Sequence, residues 1–307
     1  MEAFLRKRDF LTAGLGLGAG LAASAVLQPA LAQAPAAAEG GGGRGRLPNR
    51  MAKTTQLFKA PGVYPNALAS APEGLWVAQQ HLTADEAKGA GVPMLPGKEQ
   101  VWLLDMSGKV LQTRESNASN TSGLAFGNGS LWVMSNTSDS ATGIHQVDIA
   151  SGRQTAQRQI PLSPNNITGG VHGGQWRDGK LWIANNRMRS IMRINPESWV
   201  GELQMPIASP PGMGRFHDFT FDKDGTMLIV IANEGTKNHT ESLGGLLRVD
   251  ATTGRAIETI TLAPGSADPH GLAFHNGQII SCDAGYHPGW SNYDSPTSQS
   301  VFRIDII

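Results

Sequence analysis

Three of the eight histidines share a setting. His172, His217 and His270 each stand at the head of a short run that passes through a Gly-containing turn into a second, more apolar run: "GVHGGQWRDGKLWIANN", "RFHDFTFDKDGTMLIVIAN" and "PHGLAFHNGQIISCDAG". A neutral imidazole can give or take a proton near pH 7 and can ligate a divalent metal. Carboxylates accompany them: Asp268 precedes His270 by two residues, Asp283 ends the run after it, and Glu234 ends the run after His217. If His172, His217 and His270 converge, a divalent ion (Mg, Ca or Zn) could be held there, with Glu234, Asp268 or Asp283 completing or orienting the set. Histidines beside turns also serve architecture by tying neighbouring strands through backbone hydrogen bonds. Both readings stand on the sequence alone.

Repetition is what could bring such distant residues together. Two further copies of the hairpin occur, "YPNALASAPEGLWVAQQ" and "NTSGLAFGNGSLWVMSN", and their equivalent positions are Asn66 and Ser122. The series Asn66, Ser122, His172, His217, His270 is spaced by 56, 50, 45 and 53 residues. Each hairpin is followed by a third strand-like phrase ("VWLLD", "IHQVD", "IMRIN", "LLRVD", "VFRID"), and the first four copies add a fourth. Four antiparallel strands at a period near 50 residues predict an all-β, five-bladed β-propeller. The last copy lacks its outer strand, and "TQLFKAPG" near the N-terminus resembles "ETITLAPG" before the last copy. The ring is therefore expected to close by pairing of its N- and C-terminal strands, which removes exposed edges.

In such a ring the first strands line the channel and their leading residues share one mouth. The ends of the second strands surround them, bringing in Asn136, Asn186 and Asp283. Asn66, Asn136 and Asn186 are candidate substrate-binding residues. So are Tyr286, His287 and Trp290 in the long last-copy connection, since aromatic loops over a channel suit an organic ligand. The connection over 81–100, with Met94 and Leu95, leaves from the same mouth. Trp76, Trp132 and Trp182 recur at one strand position and read as core between blades, while His145, His239 and His275 lie away from the ring.

The start of the chain, residues 1–32, has a basic head, an apolar middle and a small-x-small end at Ala30, Leu31, Ala32, the pattern of an export signal. Lys7, Arg8, Asp9, Phe10 and Leu11 resemble a twin-arginine signal with lysine in the first slot. Residues 33–52 are Gly-rich and read as a flexible leader, leaving 53–307 as the propeller domain and a periplasmic or secreted protein. Formal net charge is zero, which gives no reason to expect nucleic acid as partner. A monomer acting on a small-molecule substrate is expected, with no stable membrane insertion after signal removal. Cys282 is the single cysteine, so no intramolecular disulfide can form.

The phrases "PHGLAFHNGQI" and "SGLAFGNGSLWV" resemble those of the virginiamycin B lyase (streptogramin lyase) group of propellers. The resemblance covers all five repeats and rests mainly on blade architecture. It implies ring opening of an ester by elimination, with a histidine base and a magnesium ion held by acids at the mouth. His270 would be that base and His217 its partner acid or oxyanion donor, with Asp268 matching an acid two positions before the histidine and Asp283 approximating a second. Five repeats against the family's seven, and Asp283 or Ala284 where a glutamate is expected, leave the substrate open. A cation-dependent lactonase similar to the gluconolactonase and senescence-marker propellers is a second enzyme reading, with Glu234, Asn136, Asn186 and Asp283 as ligands. Glutamine cyclotransferases also have five blades, but their motifs are not found. A ligand-binding propeller without catalysis is the third reading.

Overall fold

The computed structural model describes residues 47–90, 94–136, 143–161, 170–208, 210, 216–231, 245–284 and 296–307. The export signal, most of the leader, Glu234, His239, Tyr286, His287 and Trp290 lie outside the described residues.

The described chain opens with β1 (Asn49–Lys59). β2 (Pro65–Ala71), β3 (Gly74–Gln79), β4 (Gln100–Leu104) and β5 (Val110–Glu115) form a four-stranded antiparallel sheet in chain order. A seven-residue helix, α1 (Ala84–Ala90), interrupts the connection after β3. The same meander recurs in β6 (Thr121–Gly127), β7 (Ser130–Ser135), β8 (Gly143–Asp148) and β9 (Gln154–Arg158), and again in β10 (Val171–Arg177), β11 (Lys180–Asn185), β12 (Ser190–Ile194) and β13 (Gly201–Pro206). β14 (Phe216–Phe221), β15 (Met227–Ile231), β16 (Gly245–Val249) and β17 (Ala256–Leu262) make a fourth run. β18 (Leu272–His275), β19 (Gln278–Cys282) and β20 (Ser300–Ile306) follow. The last seven strands join β1 in one eight-stranded sheet, ordered β14-β15-β16-β17-β1-β20-β19-β18. The fold is all-β and propeller-like.

β1 lies between β17 and β20 in the eight-stranded sheet. Ala52–Lys59 run antiparallel to Ser300–Ile306, with Ala52 opposite Ile306 and Lys59 opposite Ser300. Its first residues, Asn49–Ala52, also run parallel to Thr259–Leu262. The strand thus begins four residues inside the stretch read as leader, because Thr259 and Thr261 hydroxyls hold Asn49 Oδ1 at 2.9 and 3.0 Å. A short polar pairing of this kind has no apolar signature in sequence.

Neighbouring first strands lie side by side: β2 against β6, β6 against β10, β10 against β14, β14 against β18, and β18 against β2. Four apolar clusters fill the spaces between successive sheets, and a fifth packs the two halves of the eight-stranded sheet together. Trp76 and Ala78 face Leu124, Leu131 and Val133 in one, whereas the alternate residues Leu75 and Val77 face Ala273, Ile280 and Val301 in another. With side chains alternating every residue, both faces of each sheet are buried, which is why the second strands read as unbroken apolar runs. Burial is worth about 1.5–3 kcal/mol per large side chain, so these seams, rather than any single contact, hold the sheets at fixed angles and thereby fix the mouth.

Candidate functional site

The site is built by a repeated device, a β-bulge at the head of β2, β6, β10 and β14. In β2 the register shifts between Pro65 and Ala67, in β6 between Thr121 and Gly123, and in β10 between Val171 and Gly173. The skipped residues are Asn66, Ser122 and His172. In β14 the shift spans Phe216 to Phe219, skipping both His217 and Asp218. A bulged residue loses its ladder partner and is re-aimed by the local kink. His270 stands ahead of β18, where its N–H donates to the Cys282 carbonyl at 2.9 Å.

The three rings meet in a row. The His172 and His217 centroids are 5.2 Å apart with planes at 82°, and His217 and His270 are 5.2 Å apart at 85°. All three are buried, His270 most fully at 1% exposure. His270 Nδ1 lies 3.4 Å from the Asp268 carbonyl, an architectural contact. Asp283 is fully buried, and its Oδ2 accepts from the Asp268 N–H at 3.3 Å and the Thr297 hydroxyl at 3.0 Å. Asp283 therefore fastens the approach to His270. Among the described residues no group of three or more His, Cys, Asp and Glu side chains could hold a metal ion. Glu234, one of the expected ligands, lies outside the described residues.

Asn66 and Asn136 tie neighbouring sheets together, while Asn186 bonds within its own hairpin. Asn66 Nδ2 donates to the Thr121 carbonyl at 3.2 Å and to Ser122 Oγ at 3.3 Å. Asn136 Oδ1 accepts the Gly170 N–H at 3.1 Å, and the Asn186 N–H donates to the Gly170 carbonyl at 2.9 Å. Asn66 Oδ1 and Asn186 Oδ1 are buried acceptors with no donor among the described residues.

Two carboxyls have no counterpart in the sequence reading. Asp218, fully buried, accepts the Phe219 N–H at 2.7 Å and the Leu272 N–H at 2.9 Å. Desolvation raises it well above the usual carboxylate range against these hydrogen bonds. Glu99 is 2% exposed. It lines a cleft of about 390 Å³ with His81, Leu82, Met94 and Leu95. Its Oε1 accepts the His81 N–H at 2.8 Å, and both oxygens accept from Thr121, whose hydroxyl donates to Oε2. Desolvation pushes this carboxyl up to about 7, against the lowering effect of those hydrogen bonds. The signal that could have found it was slight: one glutamate just before a third strand.

His145 and His275 have structural partners. His145 Nδ1 meets Gln154 Oε1 at 3.0 Å and His275 Nδ1 meets Ser70 Oγ at 2.9 Å. The Cys282 thiol is buried, which raises its pKa and leaves it inert.

Meandering four-stranded sheets with adjacent first strands, and polar residues gathered at their heads, define a propeller-like protein. No protein-family model and no curated protein matches the chain. Among solved structures it is similar to the glutaminyl cyclase of Myxococcus xanthus, with a TM-score of 0.56 at 13% identity over 85% of this chain and 100% of that one. It is also similar to virginiamycin B lyase from Staphylococcus aureus (TM-score 0.42, 14% identity, 83% of this chain and 100% of that one). A luciferin-regenerating enzyme is similar at a TM-score of 0.46 and 11% identity, over 83% of this chain and 95% of that one. At these identities the likeness shows a propeller type of fold and not the lyase group in particular.

Proposed function

We propose that the chain is a five-bladed β-propeller, closed by pairing of its N- and C-terminal strands, and exported to the periplasm or beyond by residues 1–32. On this reading it is an enzyme that acts on a small ester- or lactone-type substrate at the histidine mouth. The observation that supports it is the row His172–His217–His270, with centroids 5.2 Å apart. Two protonated imidazoles at that spacing repel by about 3 kcal/mol at an effective dielectric of ~20. The row therefore disfavours two charged rings side by side, and acid–base chemistry needs one group to take a proton and another to give one.

His270 is the base, removing a proton next to the carbonyl. His217 is the acid or oxyanion donor. The buried acceptors Asn66 Oδ1 and Asn186 Oδ1 are suited to orient substrate hydroxyl or amide groups.

Incubating the purified protein with cyclic esters and lactones, with mass detection, tests the reading. Elimination gives an unsaturated product with no added water, whereas the lactonase alternative adds one water. His270→Ala should lower turnover by about 10²-fold or more. Unchanged turnover in a folded His270→Ala protein would remove His270 from the role of base, and no turnover of any ester or lactone by the parent would leave a ligand-binding propeller.

A further inference from the structure

The opposite end of the first strands carries a second register. Four residues beyond Asn66, Ser122, His172, His217 and His270 stand Ser70, Phe126, Trp176, Phe221 and Phe274. Three of the four aromatic rings wedge onto a tryptophan of the preceding sheet. Phe126 lies 6.4 Å from Trp76, Trp176 stacks on Trp132 at 5.9 Å, and Phe221 meets Trp182 edge-on at 5.2 Å. Only the first repeat lacks a ring. There Ser70 stands, and a cavity of about 330 Å³ opens, lined by Ser70, all four aromatic residues and Arg177.

We propose that this cavity binds a single-ring aromatic acid, whose ring takes the place that serine leaves open in the aromatic series. The size lies at the small end of ligand pockets, enough for one ring and its substituent. Aromatic walls favour a planar guest through edge and offset contacts.

The polar groups select an acid. Arg177 is the one charged side chain on the wall among the described residues, and its Cζ is held 4.3 Å from the Phe221 ring centroid. Its contact with Asp178 is 3.4 Å long and largely exposed, and so is a weak competitor. Asn276 Nδ2 donates to His275 Nε2 at 3.0 Å, which leaves the proton of that ring on Nδ1, facing Ser70 Oγ at 2.9 Å. Burial lowers the His275 pKa and keeps the ring neutral. The Ser70 oxygen thus accepts from His275, and its own hydroxyl proton remains available for a ligand oxygen.

Benzoate titrated into the full-length protein, followed by calorimetry and ligand-observed NMR, tests this. Saturable binding with a Kd on the order of 0.1 mM is expected. Ser70→Phe should supply the missing ring and weaken benzoate at least tenfold. Arg177→Gln should weaken benzoate by about tenfold and leave benzamide unaffected, an arm that does not depend on Ser70→Phe folding. His270→Ala should bind benzoate as the parent does. No saturable binding by the parent, full binding by folded Ser70→Phe, an unchanged benzoate-to-benzamide ratio in Arg177→Gln, or loss in His270→Ala would each overturn the proposal.

Discussion

Replacing Glu99 with glutamine should remove a specific part of the protein's pH-dependent stability. The carboxyl moves from an ordinary 4.5 to about 7 on folding, and each pH unit of displacement corresponds to about 1.36 kcal/mol. The group therefore contributes about 3 kcal/mol of stability while protonated. The native state binds the proton more tightly than the unfolded chain. The contribution is accordingly complete below 4.5, declines as pH rises, and is gone once pH has passed through about 7. About 2 to 3 kcal/mol of it falls between pH 5 and pH 8. Urea denaturation of the parent and of Glu99→Gln at both values measures it. Asp218 and every other titrating group are common to the two proteins and cancel in the difference. Glutamine fits the donors around Glu99 imperfectly, but that penalty does not vary with pH. The expected result is a parent that loses about 2 to 3 kcal/mol more than the variant on going from pH 5 to pH 8. Identical pH dependence in the two proteins would refute the argument, and a parent that gains stability at pH 8 relative to the variant would show that the hydrogen bonds from His81 and Thr121 outweigh desolvation.

Gly127→Ala should destabilise the protein by about 1–3 kcal/mol through overpacking, because a Cβ at that position would stand 2.0 Å from Trp176 Cγ. Urea denaturation, with the near-ultraviolet dichroism of the Trp132–Trp176 stack, reads the effect, and an unperturbed variant would mean that Trp176 is free to move. A chain beginning at residue 60 should self-associate, since removing β1 leaves the β20 edge from Ser300 to Ile306 unpaired. Size-exclusion chromatography finding a monomer with unchanged melting would show that β1 does not protect that edge.

The strand plan is legible because each repeat announces itself twice, by a Gly-containing turn and by an apolar second strand such as Leu131–Ser135. The shared register of Asn66, Ser122, His172, His217 and His270 follows from spacing alone. The bulges at that register do not, since an extra residue in a strand changes backbone pairing without demanding any side-chain type. Glu99 was hidden for a different reason. Its burial arises where a residue just before β4 meets Thr121 at the head of β6 in the next sheet, a juxtaposition made by packing and not by local pattern. The first residues of β1 were hidden because Asn49 and Arg50 look like leader and pair only through polar groups.

The first strands also show how one repeat can build two different mouths. The residue at the shared register stands at one end, the residue four further on lines the other, and the residue just after the register position sits where strands meet closely. A Cβ on Gly271 would stand 2.8 Å from Ala67 Cα, and one on Gly173 would stand 2.3 Å from Asp218 Oδ1. Sequence rules tend to fail locally where a protein does something other than fold, and each position departs from its own rule once. A small residue follows the shared register position in four repeats, at Ala67, Gly123, Gly173 and Gly271, but Asp218 follows His217. Aromatic residues line the far mouth in four repeats, but Ser70 stands in the first. Architecture alone would have filled the space at Ser70 with a fifth ring and the seam at Asp218 with another glycine. The same reasoning places His172, His217 and His270 in a class apart from Asn66 and Ser122. Asn66 Nδ2 and Ser122 Oγ are bonded across the first seam, whereas the other three repeats carry larger imidazoles at the same register.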